Sequence, residues 1–320
     1  MDKRVLVCEI SGKRPGNSKQ RPTETFNINY DKCIISNNSE NYETDWEIIN
    51  VPQDYRDWYI NNIKNSDNAW YAPMNRSYAI KYAKEKGYKY LVQLDDNIQL
   101  LQIAYKIDMD GNKCQYSKQY RTTSTNEYKD KMFDDFIDVL INTLEQTNAG
   151  MAGFSMCSAG APGQQIFSER YVYSFFALDL DRCPDVFQGD FEDDIEFRLK
   201  LYQMGVPSIQ IVPLSYGKTG QQKNKDLTGC RAEYAKAGVK RGEHMRQLYG
   251  DIYKAGMRNG SNRVGKKRDK ENMYFKHKIK PIKLGILIKD KEKLYGKIKD
   301  ILKKYASIKP DKIQTNITKA

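Results

Sequence analysis

At 320 residues, of which 39% are hydrophobic and 29% charged, the chain can bury a large core, either as one α/β domain with an appendage or as two domains. The formal net charge of +12 is unevenly placed: residues 254–320 hold 21 Lys and Arg against 6 Asp and Glu, which leaves the first 253 residues near −3. Six dispersed cysteines without a Cys-x-x-Cys pair, and only two histidines (His244 and His277), argue against a zinc site and fit a reducing, cytoplasmic setting.

Met1-Asp2-Lys3-Arg4 leads into a short strand rather than an apolar signal region. No apolar run approaches the roughly 20 residues that a membrane span needs, so a soluble protein is expected. The run from Arg4 to Ile10 predicts a first strand, ended by Ser11-Gly12. The loop that follows, from Ser11 to Pro22, is basic and rich in Gly and Pro. In an open α/β sheet a loop after a strand end is where ligands bind, so Lys13, Arg14 and Arg21 are candidates to grip phosphates. The alternative is a solvated loop.

Further strands are predicted at Lys32–Ser36, Trp46–Val51 and Tyr88–Leu94, with helices at Asp54–Lys64 and Met74–Lys86. Ile98–Asn126 has weak periodicity and reads as a polar insertion. Tyr128–Gln146 predicts an amphipathic helix with Met132, Phe133, Phe136, Val139, Leu140 and Leu144 as its core stripe. Strands at Ala149–Met156 and Tyr171–Leu180 flank the Gly-rich loop 158–163. A helix over Phe191–Met204 stops at Gly205, and a strand covers Ser208–Val212. Cys230–Ala255 reads as helical, 256 onward as a Gly/Asn/Lys linker, and Asp290–Tyr305 as a basic helix. The alternation predicts an α/β fold with a mainly parallel central sheet covered by helices. The expected division is a catalytic body over 1–255 and a basic C-terminal helical extension over 256–320.

Two acidic clusters carry chemistry. The β-prone run Lys89–Leu94 delivers Asp95, Asp96 and Asn97 to a strand end, where hard oxygen ligands can hold Mg²⁺ or Mn²⁺. The alternative is a turn that merely ends the strand. The second cluster, from Asp190 to Glu196, has more acids than helix capping requires. Helical spacing puts Glu192 and Glu196 on one face, which can brace the helix while Asp193 points into a cleft as a general base. His244 is a weaker candidate for a metal ligand. No Walker A or Gly-x-Gly-x-x-Gly pattern occurs, which disfavours a kinase or a dinucleotide-dependent oxidoreductase.

Asn75-Arg76-Ser77-Tyr78-Ala79, then a strand ending in Leu94-Asp95-Asp96-Asn97, then Phe191-Glu192-Asp193-Asp194-Ile195-Glu196 with a later Gly205, resembles nucleotide-sugar glycosyltransferases of the GT-A fold over roughly residues 1–220. Asn97 stands where the last Asp of Asp-x-Asp would be, and Asn75-Arg76 reverses the commoner order. The metal ligand is therefore Asp96, Asn97 or both. A narrower resemblance is to the TET/J-binding-protein-associated glycosyltransferases of bacteriophages. It is carried by the Leu-Asp-Asp strand end, Gly189-Asp190-Phe191-Glu192-Asp193-Asp194, Tyr216-Gly217-Lys218-Thr219-Gly220 and Thr228-Gly229-Cys230-Arg231.

The resemblance implies a UDP-sugar or similar nucleotide-diphosphate sugar as donor and hydroxymethylated pyrimidines in DNA as acceptor. It places Asn75, Arg76, Asp95 and Asp96 at the donor, Mn²⁺ or Mg²⁺ at Asp96 and Asn97, and Asp193, with Glu192 beside it, at the acceptor hydroxyl. Lys218 and Arg231 are candidates to close over the diphosphate, which needs positive charge as it leaves. Two other readings stand beside it: transfer to a surface glycan or protein, and a non-catalytic nucleic-acid-binding protein. Oligomeric state is not legible in the sequence.

Overall fold

The computed structural model describes residues 5–12, 26–63, 71–105, 120–123, 129–156, 166–189, 193–218, 243–258, 274–279 and 283–306. In chain order these form β1 (Val5–Ser11), β2 (Asp31–Ser36), β3 (Glu47–Asn50), α1 (Gln53–Asn62), α2 (Tyr71–Glu85), β4 (Tyr90–Asp95), β5 (Ile98–Tyr105), β6 (Tyr120–Thr123) and α3 (Lys129–Gln146). There follow β7 (Met151–Met156), β8 (Phe167–Ser168), β9 (Phe175–Asp179), α4 (Asp193–Gln203), β10 (Ser208–Lys218), α5 (Glu243–Tyr249), β11 (Tyr253–Arg258), β12 (Tyr274–Ile279) and α6 (Lys291–Ala306).

The expected α/β class is observed, but the sheet is mixed rather than mainly parallel. Its strand order is β3-β2-β1-β4-β9-β7-β10-β5-β6, with β8 beside β10. β1 pairs in parallel with β2 and β4, β2 with β3, and β7 with β10. β9 runs antiparallel to both β4 and β7, and β5 antiparallel to β10 and β6. Because β9 opposes both of its neighbours, β1–β4, β7 and β10 all point the same way. Ser11, Ser36, Asp95, Met156 and Lys218 therefore come to one edge.

Both faces of this sheet are covered, and β1 shows how. All seven of its residues are buried. Val5 and Val7 belong to one apolar cluster while Leu6, Cys8 and Ile10 belong to the other, as the period of two requires. The first cluster is capped by α3 and α6, the second by α1, α2 and α4. The α3 stripe is as expected: Met132, Phe133, Phe136, Val139, Leu140 and Leu144 are fully buried. Each such side chain contributes about 1.5–3 kcal/mol over exposure. α6 lies on α3 through Leu294, Ile298, Ile301, Leu302 and Tyr305. Lys297 reaches Asp138 at 2.7 Å, and both Lys304 and Tyr305 reach Asp135. Part of the basic tail is thus spent on acids of the chain itself.

Three segments depart from expectation. Ile98–Tyr105, read as part of an insertion, is a strand; Ile98, Leu101 and Ile103 are buried without strict alternation, so periodicity did not flag it. The strand expected at Ser208–Val212 continues to Lys218, because a register shift between Ile211 and Ser215 lets it keep pairing with β7 and then β5. Helix is described only over Glu243–Tyr249 within the span expected to be helical; Tyr253–Arg258 instead pairs with Tyr274–Ile279 in a two-stranded ribbon. Residues 230–242 lie outside the described residues.

Candidate active site

Asp95, Asp96 and Asn97 sit where β4 ends and a two-residue turn leads into β5. Strand β4 reaches this edge because Tyr90–Leu94 is buried between β1 and β9. Asp193 is the first residue of α4, on the far side of the same edge. One side chain joins the two groups. Arg76, in the second turn of α2, places Nη2 2.5 Å from Asp95 Oδ1 and Nε 2.9 Å from Asp193 Oδ2.

Arg76 is held from behind as well. It donates from Nη1 to Gln93 Oε1 at 3.1 Å, and Gln93 Nε2 donates back to the Arg76 carbonyl at 3.0 Å. Its guanidinium carbon lies 5.3 Å from the Phe176 ring centre and 5.9 Å from that of Phe187. Only 5% of Arg76 is exposed. Burial on its own works against the charge, but Asp95, Asp193 and Asp194 together outweigh it and keep the guanidinium protonated. The other oxygen of Asp95 accepts from Lys218 Nζ, at the last position of β10. Burial works to raise the Asp95 carboxyl, and Lys218 and Arg76 overcome it, holding the group well below the usual carboxylate range.

This makes a prediction about acid. A carboxyl depressed in the folded state lends stability that is complete above its ordinary titration range and disappears as pH falls below that range toward the folded value. The urea midpoint of the wild type should therefore fall from pH 5 to pH 3 more steeply than that of Asp95→Asn. Equal slopes in the two proteins would remove Asp95 from the acid response.

Asp96, 3% exposed, accepts from Ser11 Oγ at 2.9 Å, and Ser11 Oγ also meets Tyr42 Oη at 2.8 Å. Asn75 Nδ2 donates to the Ser11 carbonyl at 2.9 Å and to Asn37 Oδ1 at 3.2 Å. Among the described residues Asn97 Oδ1, which is buried, has no hydrogen-bond partner. Among the described residues no group of three or more His, Cys, Asp or Glu is arranged to hold a metal, and His244, buried in α5, belongs to none. Asp95 is neutralised by two cations. Asp96, already bonded by Ser11, and the Asn97 oxygen are hard donors of the kind Mg²⁺ and Mn²⁺ take, and they fit such an ion only if substrate phosphates and waters complete the shell.

Glu196 is fully buried in α4 and braces the segment before Asp193, as the helical spacing anticipated. It accepts from the Gln188 backbone N–H at 2.8 Å and from Tyr249 Oη at 2.6 Å, with Lys200 Nζ at 3.5 Å. Burial pushes its carboxyl up despite these partners. Glu192 lies outside the described residues, as do Lys13, Arg14 and Arg231.

Ser174 is a site residue that the sequence did not reveal. It has φ 56°, its carbonyl accepts from the Asp95 N–H at 2.9 Å, and its hydroxyl bonds the Asp95 carboxylate. A left-handed serine between Tyr173 and Phe175 carries no Gly or Asn signal. Ser11 was more accessible: it stands beside the Gly12 that ends the first strand.

The molecule is thus a mixed α/β protein with a cluster of charged side chains at the shared strand edge, its acids and cations drawn from four separate elements. Residues 64–226 match the model of the TET-Associated Glycosyltransferase family, and the chain belongs to that family. No curated protein matches the chain. Membership implies glycosyltransferase activity, and the matched segment contains Asn75, Arg76, Asp95, Asp96, Asn97, Asp193 and Lys218.

Proposed function

We propose that the protein transfers a sugar from a nucleotide-diphosphate donor, a UDP-sugar, to the hydroxyl of a 5-hydroxymethylcytosine-type base in DNA. The observation that carries this reading is the single guanidinium shared by Asp95 and Asp193. It brings Asp95, which we assign to the donor, and the separate carboxylate of Asp193 to the same side chain.

In this scheme Asp193 accepts the proton of the acceptor hydroxyl. The hydroxyl oxygen bonds to the anomeric carbon as the bond from that carbon to the diphosphate breaks, and the electron pair departs with the diphosphate. Lys218 is the described cation best placed to neutralise that charge, leaving Asp95 for a phosphate oxygen; Lys13, Arg14 and Arg231 are its candidate helpers. Asp95, with Arg76 behind it, orients the donor, and Asn75 does so from beside Ser11 and Asn37. Asp96 and Asn97 would hold a divalent cation, which supplies Lewis-acid charge to the diphosphate.

The test follows labelled sugar from a panel of nucleotide sugars onto duplexes with and without hydroxymethylcytosine, each with and without EDTA. The expected result is label on the modified duplex alone, lost with EDTA. Label on neither duplex, with a nucleotide sugar consumed, would exclude a DNA acceptor.

A further inference from the structure

We infer that the β11–β12 ribbon is the surface on which the acceptor duplex lies. The inference rests on the DNA-acceptor reading and adds to it a place on the molecule. The register pairs Lys254 with Lys278, Gly256 with Lys276 and Arg258 with Tyr274. Alternation along each strand puts these six positions on one face, and Tyr253, Ala255, Met257, Phe275, His277 and Ile279 on the other.

The two faces are oriented by their first residues. Tyr253 is 1% exposed and packs with Ile195 and Leu199 of α4 and Met245 and Tyr249 of α5. Lys254, its neighbour, is exposed. The face with four Lys and Arg positions is therefore the outward one, and neither strand contains Asp or Glu. Two lysines directly opposite each other destabilise an antiparallel pair, a cost that a polyanion lying across them would relieve.

The position suits an acceptor. The ribbon is anchored at Ile195, two residues after Asp193, and Tyr249 just before it bonds Glu196. A two-stranded ribbon is narrow enough for the major groove, and that groove carries the C5 substituent of a pyrimidine. An anionic membrane fits less well, because the aliphatic and Phe positions of the ribbon share a face with Tyr253, and Tyr274 is the one aromatic residue among the Lys and Arg positions.

The experiment replaces Lys254, Arg258, Lys276 and Lys278 together by Gln, with Lys254→Gln and Lys278→Gln as single variants. Binding of labelled duplex is followed by fluorescence anisotropy against salt. Consumption of the donor without acceptor is read separately. Each neutralised phosphate contributes about −0.9 to the log–log salt slope, so the fourfold variant should lose about 3 to 4 from it and show a raised KM for DNA, while donor consumption is unchanged. In the absence of DNA, each single variant should be at least as stable to heat as the wild type, because an opposed like pair has been removed.

Unchanged slope and KM in a folded variant would overturn the ribbon while leaving transfer to DNA intact. So would ribbon-dependent sedimentation with phosphatidylserine vesicles and no binding of duplex. A wild type that fails to glycosylate any duplex, yet shows the ribbon-dependent slope, would retire the acceptor assignment and keep the ribbon as a nucleic-acid surface.

Discussion

Arg76→Met should cost about 3–5 kcal/mol of unfolding free energy, the range for breaking a buried ion pair by deleting one partner, and should abolish transfer. The reason is geometric. Arg76 serves Asp95, Asp193 and Gln93 with three different nitrogens. Methionine can fill the slot between Phe176 and Phe187 but leaves Asp193 without that cation. Lys218 continues to cover Asp95, so the loss should fall toward the lower end of the range. Arg76→Lys should not rescue activity, since a single ammonium cannot reach both carboxylates in the fork geometry of a guanidinium. Urea unfolding of Arg76→Met, Asp193→Asn and the double variant gives the check. The double should be much less destabilised than the sum of the singles, because the charge orphaned by Arg76→Met is absent from it. Strict additivity would mean that the two residues do not interact.

The sequence exposed the ends of this network but not its centre. Asp95, Asp96 and Asn97 were legible because an apolar strand followed by carboxylates is a local pattern, and Asp193 because acids crowd a helix start. The α3 stripe was legible for a similar reason: a period of 3.6 in one segment needs no knowledge of what lies opposite. Pairing is different. Nothing local tells that Phe175–Asp179 inserts antiparallel between β4 and β7, since a strand buried on both faces reads as the same apolar run in either direction. That insertion is what makes the sheet mixed, and it also brings Ser174 against Asp95.

Arg76 illustrates the same limit in a side chain. As part of Asn75-Arg76 it reads as a donor contact, whereas in the fold its guanidinium faces two carboxylates of the chain and stacks near two phenylalanines. Each of those partners is distant in sequence. Lys218 likewise lies beyond the strand expected at Ser208–Val212, and it is the continuation of β10 past its register shift that carries it to Asp95.

Asp193→Asn should lower the single-turnover rate of transfer by about 10²–10⁴-fold, the usual contribution of a positioned general base, with little change in the affinity for donor or duplex. Asparagine keeps the shape of the side chain that faces Arg76 Nε, so α4 should keep its place, braced by Glu196 against Gln188 and Tyr249. What is lost is the ability to take a proton. Arg76, with Nε 2.9 Å from Asp193 Oδ2, holds the carboxylate in position. Glu196→Gln and Tyr249→Phe offer the contrast, since both loosen the brace without touching the acceptor. They should act on stability first and on the rate only through the placement of Asp193. If Asp193→Asn keeps more than about a tenth of the wild-type single-turnover rate, the proton goes elsewhere and the carboxylate is no more than a counter-ion to Arg76.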